Sequence, residues 1–232
     1  MIHQLIFAHP KPGMTEEEFQ RYWLDVHAPT YAARIKQIAR YAVDTRVPLP
    51  GEDPEADPLW SGIAEIWLRN DEEQLASLQS EEFLQGARLD EPNWAAFWRT
   101  VVLDTDAHTL LAGPGADRPH PVKLVLLVKR VNGTSVAAFR ERALGAHAEL
   151  ALAVPGLQRY QQCHVRDGAY AVGEAILDAA WLLSFEDEDA LAAALESEEF
   201  ARLEKDLGEF TEPRYLHRMA VREHWIIGGE DA

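Results

Sequence analysis

Residues 2–13 read IHQLIFAHPKPG, and residues 122–133 read VKLVLLVKRVNG. Each is a short apolar run closed by a glycine, the pattern of a strand followed by a turn. The likeness continues without a gap: Phe19 matches Phe139, His27 matches His147 and Ala28 matches Ala148, each pair 120 positions apart. Later landmarks keep their order while the offset drifts with loop length. Tyr41 pairs with Tyr160, LQSEEF at 78–83 with LESEEF at 195–200, and HTLLAG at 108–113 with HWIIGG at 224–229. Ordered landmarks of this kind mark an internal repeat, and the repeat decides the fold.

The stretch from Gly113 to Pro121, GPGADRPHP, has linker composition. The expected organisation is a first repeat over 1–113, a linker over 114–121 and a second repeat over 122–232. Within each repeat a strand (2–8, 122–129) leads through Gly13 or Gly133 into a helix. In the first repeat Thr15-Glu16-Glu17-Glu18 is a capping box that opens that helix. Strands follow near 39–47 and 61–69, or 159–165 and 176–185. A second helix is expected over 71–88 and 187–206, and a last strand over 101–111 and 217–227. This β-α-β-β-α-β order is the ferredoxin-like unit, so the class is α+β. Such a sheet covers one face with its own helices and leaves the other apolar. A fused second copy supplies the missing cover, which predicts a pseudo-two-fold barrel made by the two repeats.

Composition narrows the function. The chain has 232 residues, 47% hydrophobic and 26% charged, enough for a real core. Its 39 acidic against 22 basic residues give a net charge of −17, which repels phosphate backbones and anionic lipid. Nucleic acid and membrane are therefore excluded as partners, and a small molecule is expected. The single Cys163 allows no intrachain disulfide and no cysteine-rich metal cluster, and a cytoplasmic location is the default. The start of the chain has no basic flank and only a short apolar run, so no signal peptide is expected. No apolar run reaches about 18 residues. There is no glycine-rich nucleotide or phosphate loop, no zinc-binding spacing and no serine nucleophile elbow. The expectation is no metal and no cofactor. Seven tryptophans point to bulky packing or to an aromatic-lined pocket.

On the first helix Phe19, Trp23, His27 and Tyr31 recur every four residues, a stripe on one face. Glu17, Arg21, Asp25 and Lys36 lie opposite, so the stripe faces inward. His27 must then pair with a buried partner or line a cavity. It is read either as a core histidine bonded to a backbone carbonyl or as a working group. Its recurrence as His147 favours the second. In the second copy Trp23 becomes Ala143, Tyr31 becomes Ala151 and Pro29 becomes Glu149, so volume alone does not say which copy holds a pocket.

Gly13-Met14-Thr15, Phe19 and Tyr22-Trp23-Leu24-Asp25-Val26-His27-Ala28-Pro29 resemble the EthD family of dimeric α+β barrel proteins. The second copy keeps Phe139, His147 and Ala148. The resemblance implies single domains that dimerise, here fused, with a homodimer of the fused pair as a further assembly. It also implies an oxidoreductase label from ether degradation, or decarboxylases, dehydratases, cyclases or anthrone oxidases of aromatic polyketide pathways. These use no metal, and a histidine is their usual acid–base group. His27 is the matched position and His147 its counterpart. Where the family often has a basic pair after the first strand, this chain has His9-Pro10-Lys11 and, in the second copy, Lys129-Arg130.

The leading expectation is cofactor-free acid–base catalysis by His27 and His147 on a flat, apolar molecule held by Phe19, Trp23 and Tyr31. Glu65, between apolar neighbours on a strand, is a candidate to orient a histidine or contact the ligand. His3 shares a strand face with Leu5 and Phe7 and could enter the cavity between the sheets, but is read as an edge or strand-start residue, and His108 and His224 as surface or strand-end residues. Tyr22 is read as an outward neighbour. The Pro-rich acidic stretch 44–58 is expected to form a flap at a pocket mouth. The alternatives are a haem-binding oxidoreductase, against which Val165-Arg166-Asp167-Gly168 lacks the first glycine of a peroxidase signature, and a non-catalytic ligand-binding accessory protein.

Overall fold

Thr15 caps the first helix as its neighbours suggest. Its backbone N–H donates to Glu18 Oε2 at 2.9 Å, and Glu18 N–H donates to Thr15 Oγ1 at 3.2 Å. Ser135 does the same at the matching position, accepting from Ala138 N–H at 3.1 Å. These caps fix where each repeat leaves its first strand and begins to coil. The computed structural model describes residues 1–53, 56–113 and 121–228.

The first repeat runs β1 (Ile2–Ala8), α1 (Glu16–Tyr22), a π-helical turn (Trp23–His27), α2 (Ala28–Thr30), β2 (Ile38–Val47), β3 (Gly62–Leu68), α3 (Asp71–Gln79), a second π-helical stretch (Glu82–Ala87), α4 (Arg88–Asp90) and β4 (Val101–Leu111). The second runs β5 (Val122–Val128), α5 (Val136–Arg142), a π-helical turn (Ala143–His147), α6 (Ala148–Leu152), β6 (Arg159–Val165), β7 (Ala179–Phe185), α7 (Glu188–Leu195), α8 (Glu198–Phe210) and β8 (His217–Ile227). The α+β class and the β-α-β-β-α-β order stand. Residues 114–120 of the expected linker lie outside the described residues. No helix among the described residues is long and apolar enough to cross a membrane.

One expected element divides. The second helix of each repeat breaks at Ser80 and at Ser197, the serines of the LQSEEF and LESEEF landmarks. Their hydroxyls accept from Phe83 N–H at 3.2 Å and Phe200 N–H at 3.1 Å, starting a fresh helical segment each time. The landmark that revealed the repeat is thus a helix restart.

The chain forms two compact units. One holds Met1–Val47, Gly51–Asp104 and the stretch from Arg222; the other holds Pro48–Pro50 and Thr105–Val221. In the first, β3 is flanked by antiparallel β1 (Ile6 opposite Ala64) and β2 (Val43 opposite Ala64). Ile2, Ile6, Ala64, Leu68, Tyr41 and Val43 pack on the helices with Phe19, Trp23 and Ala28. By strand alternation His3, Leu5, Phe7, Glu65 and Trp67 face the other way. In the second unit the order is β5–β7–β6–β4, with Leu126 opposite Trp181 and Gln162 opposite Trp181. Every residue of β5 and β7 is buried, Lys123 and Ser184 included, and the other positions of both strands are apolar.

His164 on β6 carries a stability consequence. Its Nε2 lies 2.8 Å from Gln162 Oε1, an acceptor only, so Nε2 holds the proton and buried Nδ1 is left bare. Burial, with His108 and Arg140 nearby, pushes its pKa down to about 3. As pH falls below the ordinary value of about 6.5, the unfolded chain takes up the proton first, and folding loses free energy until the folded value is reached. We expect this residue to cost about 2 kcal/mol between pH 7 and pH 5. Urea midpoints of the native chain should fall over that range more steeply than those of His164→Gln; parallel slopes would contradict it.

Candidate functional site

The first helix does not stay α-helical as far as its histidine. The Ala28 N–H donates to the Trp23 carbonyl, closing a wide i→i−5 turn that ends on His27. A wide turn rotates less per residue, which offsets the forward drift of an i, i+4 stripe and keeps Phe19, Trp23 and His27 on one face. Pro29, which lacks an N–H, is not the cause. The second copy has Glu149 there, yet also departs from the α-helix over Ala143–His147, by a kink at Gly145 (φ −96°, ψ −110°) with Ala148 N–H donating to the Gly145 carbonyl.

The turn delivers His27 to Asp90, at the end of α4. His27 Nδ1 and Asp90 Oδ2 are 2.9 Å apart. Asp90 Oδ1 accepts from Tyr22 Oη at 2.8 Å and from Asn93 Nδ2 at 3.1 Å. Burial acts to raise the Asp90 pKa, but hydrogen bonds from Asn93, His27 and Tyr22 outweigh it and hold the carboxyl below the usual range. An ionised carboxylate only accepts, so the His27 proton is on Nδ1 and Nε2 carries the free lone pair. Burial keeps the imidazole below its ordinary pKa against the upward pull of Asp90. Tyr22 is pushed up to about 12, by burial and by Asp90.

The second copy repeats this contact: His147 Nδ1 lies 2.8 Å from Asp206 Oδ2. Its surroundings differ. At the place of Tyr22 stands Arg142, which donates to Asp206 and Glu209, each at 2.8 Å. The His147 side chain is 1% exposed, with Nε2 buried and unpartnered, while that of His27 is 9% exposed. Trp181 packs at a tilt on His147 at 4.4 Å and Phe210 edge-on at 5.2 Å between ring centroids. An iron on His147 Nε2 would have to displace that packing.

Aromatic packing explains where the other expected residues go. Phe19 and Trp23 are core: Phe19 is T-shaped to Trp23 at 5.4 Å, and Trp94 lies 5.1 Å from Phe19, 4.8 Å from Trp23 and 4.6 Å from His27. Trp23 Nε1 donates to Tyr41 Oη at 3.0 Å. Tyr31, 6.1 Å from the His27 ring, lines an open depression of about 380 Å³ with Thr30, Arg34, Glu81, Glu82 and Gly86. Tyr22, expected to point outward, instead secures Asp90. The space opened by Ala143 is filled by Trp181. The stretch 44–58 begins inside β2; Arg46 holds Glu52 at 2.7 Å and Arg99 holds Asp57 at 3.2 Å, while Pro54 and Glu55 lie outside the described residues.

Glu65 does hold a histidine, but it is His3, at 2.7 Å, on the sheet face turned away from the helix that carries His27. His3 is buried, stacked on Trp67 at 4.3 Å, so it is no loose strand start. Arg40 sits 4.8 Å over both Trp67 and Trp225. Asp44, Glu65 and Glu223 bring carboxylate oxygens within 4.8 Å of one another, a set of hard donors that a divalent cation could use, though each already has other partners. His224 Nε2 bonds Thr45 Oγ1 at 2.9 Å, and His108 packs edge-on to His164 at 5.0 Å.

The residues that sequence reading missed are Asp90, Asp206 and the ring behind each histidine, Trp94 and Phe210. A signal existed: Asp90 and Asp206, like Trp94 and Phe210, are separated by the same 116 positions as the HTLLAG and HWIIGG landmarks.

Comparison with known proteins agrees with the repeat. The EthD domain model matches twice, over residues 11–97 and 132–214. No curated protein matches the chain. Among solved structures, an anthrone oxidase-like protein aligns with a TM-score of 0.70 at 12% identity, covering 100% of this chain and 93% of its own. A mutant chlorite dismutase from Candidatus Nitrospira defluvii aligns at 0.51 with 10% identity, over 97% and 92%. An EthD family protein from Bacillus halodurans is 24% identical over 43% of this chain and 95% of its own, with a TM-score of 0.37. The first two likenesses show a fold of the dimeric α+β barrel type. With the domain found in both repeats, this chain belongs to the EthD family.

Proposed function

We propose that the chain is an enzyme that moves a proton on a small, flat, apolar or aromatic molecule, with His27 as the acid–base group and Asp90 as its positioning residue. The observation that carries this reading is the duplicated His–Asp contact, whose histidine side chain keeps 9% exposure in the first copy and 1% in the second. A neutral imidazole whose Nδ1 proton is held by a carboxylate offers Nε2 as a base toward a phenol or an activated C–H. The depression lined by Tyr31 has the volume for such a substrate; its lining includes Arg34, Glu81 and Glu82 and does not include His27. His147, sealed between Trp181 and Phe210, is assigned a structural role. Cyclisation, dehydration and O₂-dependent oxidation of a phenol can begin with such a proton removal, and decarboxylation uses the same group in reverse, returning a proton to the carbon that loses CO₂. The anthrone oxidase-like neighbour supports the oxidation among these. The sequence units are read as repeats 1–113 and 122–232 joined into one pseudo-two-fold barrel, with all the chemistry supplied by protein groups.

Turnover of anthrone and hydroxynaphthalenes by the native chain, His27→Gln and His147→Gln tests the assignment. Activity lost in the first variant and kept in the second is expected. Native-like turnover by His27→Gln would overturn it. Binding without turnover would indicate a carrier, and a Soret band on adding haem that His27→Gln abolishes would make this histidine an iron ligand.

A further inference from the structure

Position 61 sets the two repeats apart. Gly62 pairs with Ala8 and Ala179 with Val128, so Ser61 and Asp178 hold the same place just before β3 and β7. Their backbones behave alike: Ser61 N–H donates to Ala8 O and Asp178 N–H to Val128 O, both at 2.8 Å. Their side chains do not. The Asp178 carboxylate binds the loop after β5, taking the Arg130 N–H at 2.8 Å, the Arg130 guanidinium, the Lys129 ammonium at 3.3 Å and the Tyr170 hydroxyl at 2.6 Å. In the first repeat no carboxylate is there. The Ser61 hydroxyl is buried without a partner, and Pro10, which has no N–H, stands where Arg130 does.

Donors nevertheless remain. Arg99 Nη1 lies 2.6 Å from His9 Nε2, and a guanidinium only donates, so Nε2 accepts and the His9 proton is on Nδ1. That Nδ1–H is buried and unpartnered, in a side chain about nine-tenths enclosed. His9 and Ser61 stand in the wall of a cavity of about 390 Å³, together with Lys11, Arg99 and Trp98. Trp98 is 63% exposed. Each acidic group on the same wall has a cation: Glu16 has Arg46 at 2.8 Å, which it shares with Glu52, and Asp57 has Arg99 at 3.2 Å. Lys11 has no ion-pair partner among the described residues.

We propose that this cavity binds a small aromatic carboxylate, whose anionic head takes the place that the Asp178 side chain fills in the second repeat. Lys11 supplies the counter-charge, the Ser61 hydroxyl and the His9 Nδ1–H donate to the head, and the ring lies against Trp98. None of these residues belongs to the His27–Asp90 dyad, so the site stands or falls separately from the catalytic reading.

Titrating the full chain with benzoate, and in parallel with neutral benzamide, while following Trp98 and His9 by NMR tests this. Saturable shifts with benzoate and none with benzamide are expected. Lys11→Gln should weaken binding by about tenfold. Ser61→Asp, which installs the second repeat's own carboxylate, should abolish it while the spectrum stays folded; Ser61→Ala, which adds no charge, should weaken it. An equal response to benzamide, no saturation by about 10 mM, or unchanged benzoate binding in Lys11→Gln would overturn the proposal.

Discussion

Exchanging His27 for Gln is expected to lower turnover by about 10²–10⁴-fold, the usual contribution of a positioned proton-transfer group. The fold should tolerate the change, because Gln can still donate to Asp90 and fills a similar volume. Asp90→Asn is the more discriminating variant. It keeps the shape but removes the charge that holds the proton on His27 Nδ1. Without it the imidazole can place its proton on Nε2, and the base is lost. A fall within the same range is expected even though Asp90 touches no substrate. Tyr22→Phe removes one of the three donors to Asp90 and should act weakly in the same direction. The corresponding Asp206→Asn should leave turnover near native and lower stability instead, since Arg142 and His147 lose a shared acceptor. Equal turnover losses from Asp90→Asn and Asp206→Asn would remove the distinction between the copies.

The second large effect is on stability. Trp23 is almost fully buried, so Trp23→Ala should cost about 3–5 kcal/mol. The second repeat shows how that loss can be made good. There the indole comes from the strand, as Trp181 opposite Leu126, and the helix carries Ala143. In the first repeat the helix carries Trp23 and the strand carries Ala64, opposite Ile6. Two smaller differences fit the same exchange. A Cβ on Gly62 would come within 2.9 Å of the Trp23 ring, whereas the second copy has Ala179 there. Trp23 gives its N–H to Tyr41 Oη, whereas in the second copy Gln162 serves Tyr160 Oη at 2.7 Å and also reaches the Ala143 carbonyl. Val43 occupies the place of Gln162. The triple variant Trp23→Ala, Ala64→Trp, Val43→Gln should therefore recover at least about half of the loss in a urea titration. A triple variant no more stable than Trp23→Ala would show that the two cores are not interchangeable solutions.

These comparisons also show what a sequence can and cannot reveal here. The strand order, the Thr15 cap and the inward face of the histidine stripe follow from local periodicity, and all are legible. The partner of His27 is not, because Asp90 lies 63 residues away on a helix that restarts at Ser80. Nor is the π-helical turn, whose cause is not Pro29 and whose distorted Gly145 has no counterpart in the first copy. Glu65 was legible as a strand carboxylate suited to hold a histidine. Choosing His3 over His27 needed the register of β1 against β3, which puts Glu65 on the far face. The loss of Trp23 and Tyr31 in the second repeat leaves undecided which copy holds a pocket, because a replacement ring from another element, Trp181, cannot be seen from the helix alone.

The measurement closest to the central claim is the proton inventory of His27 itself. In the ¹⁵N-histidine-labelled chain, with His27 assigned by its loss in His27→Gln, the Nδ1–H tautomer is expected at neutral pH. The midpoint of its titration should lie below the ordinary 6.5, because burial outweighs Asp90. Asp90→Asn should shift the population toward Nε2–H. A native His27 carrying its proton on Nε2, or one still charged at pH 7, would contradict the assignment of Nε2 as the working base.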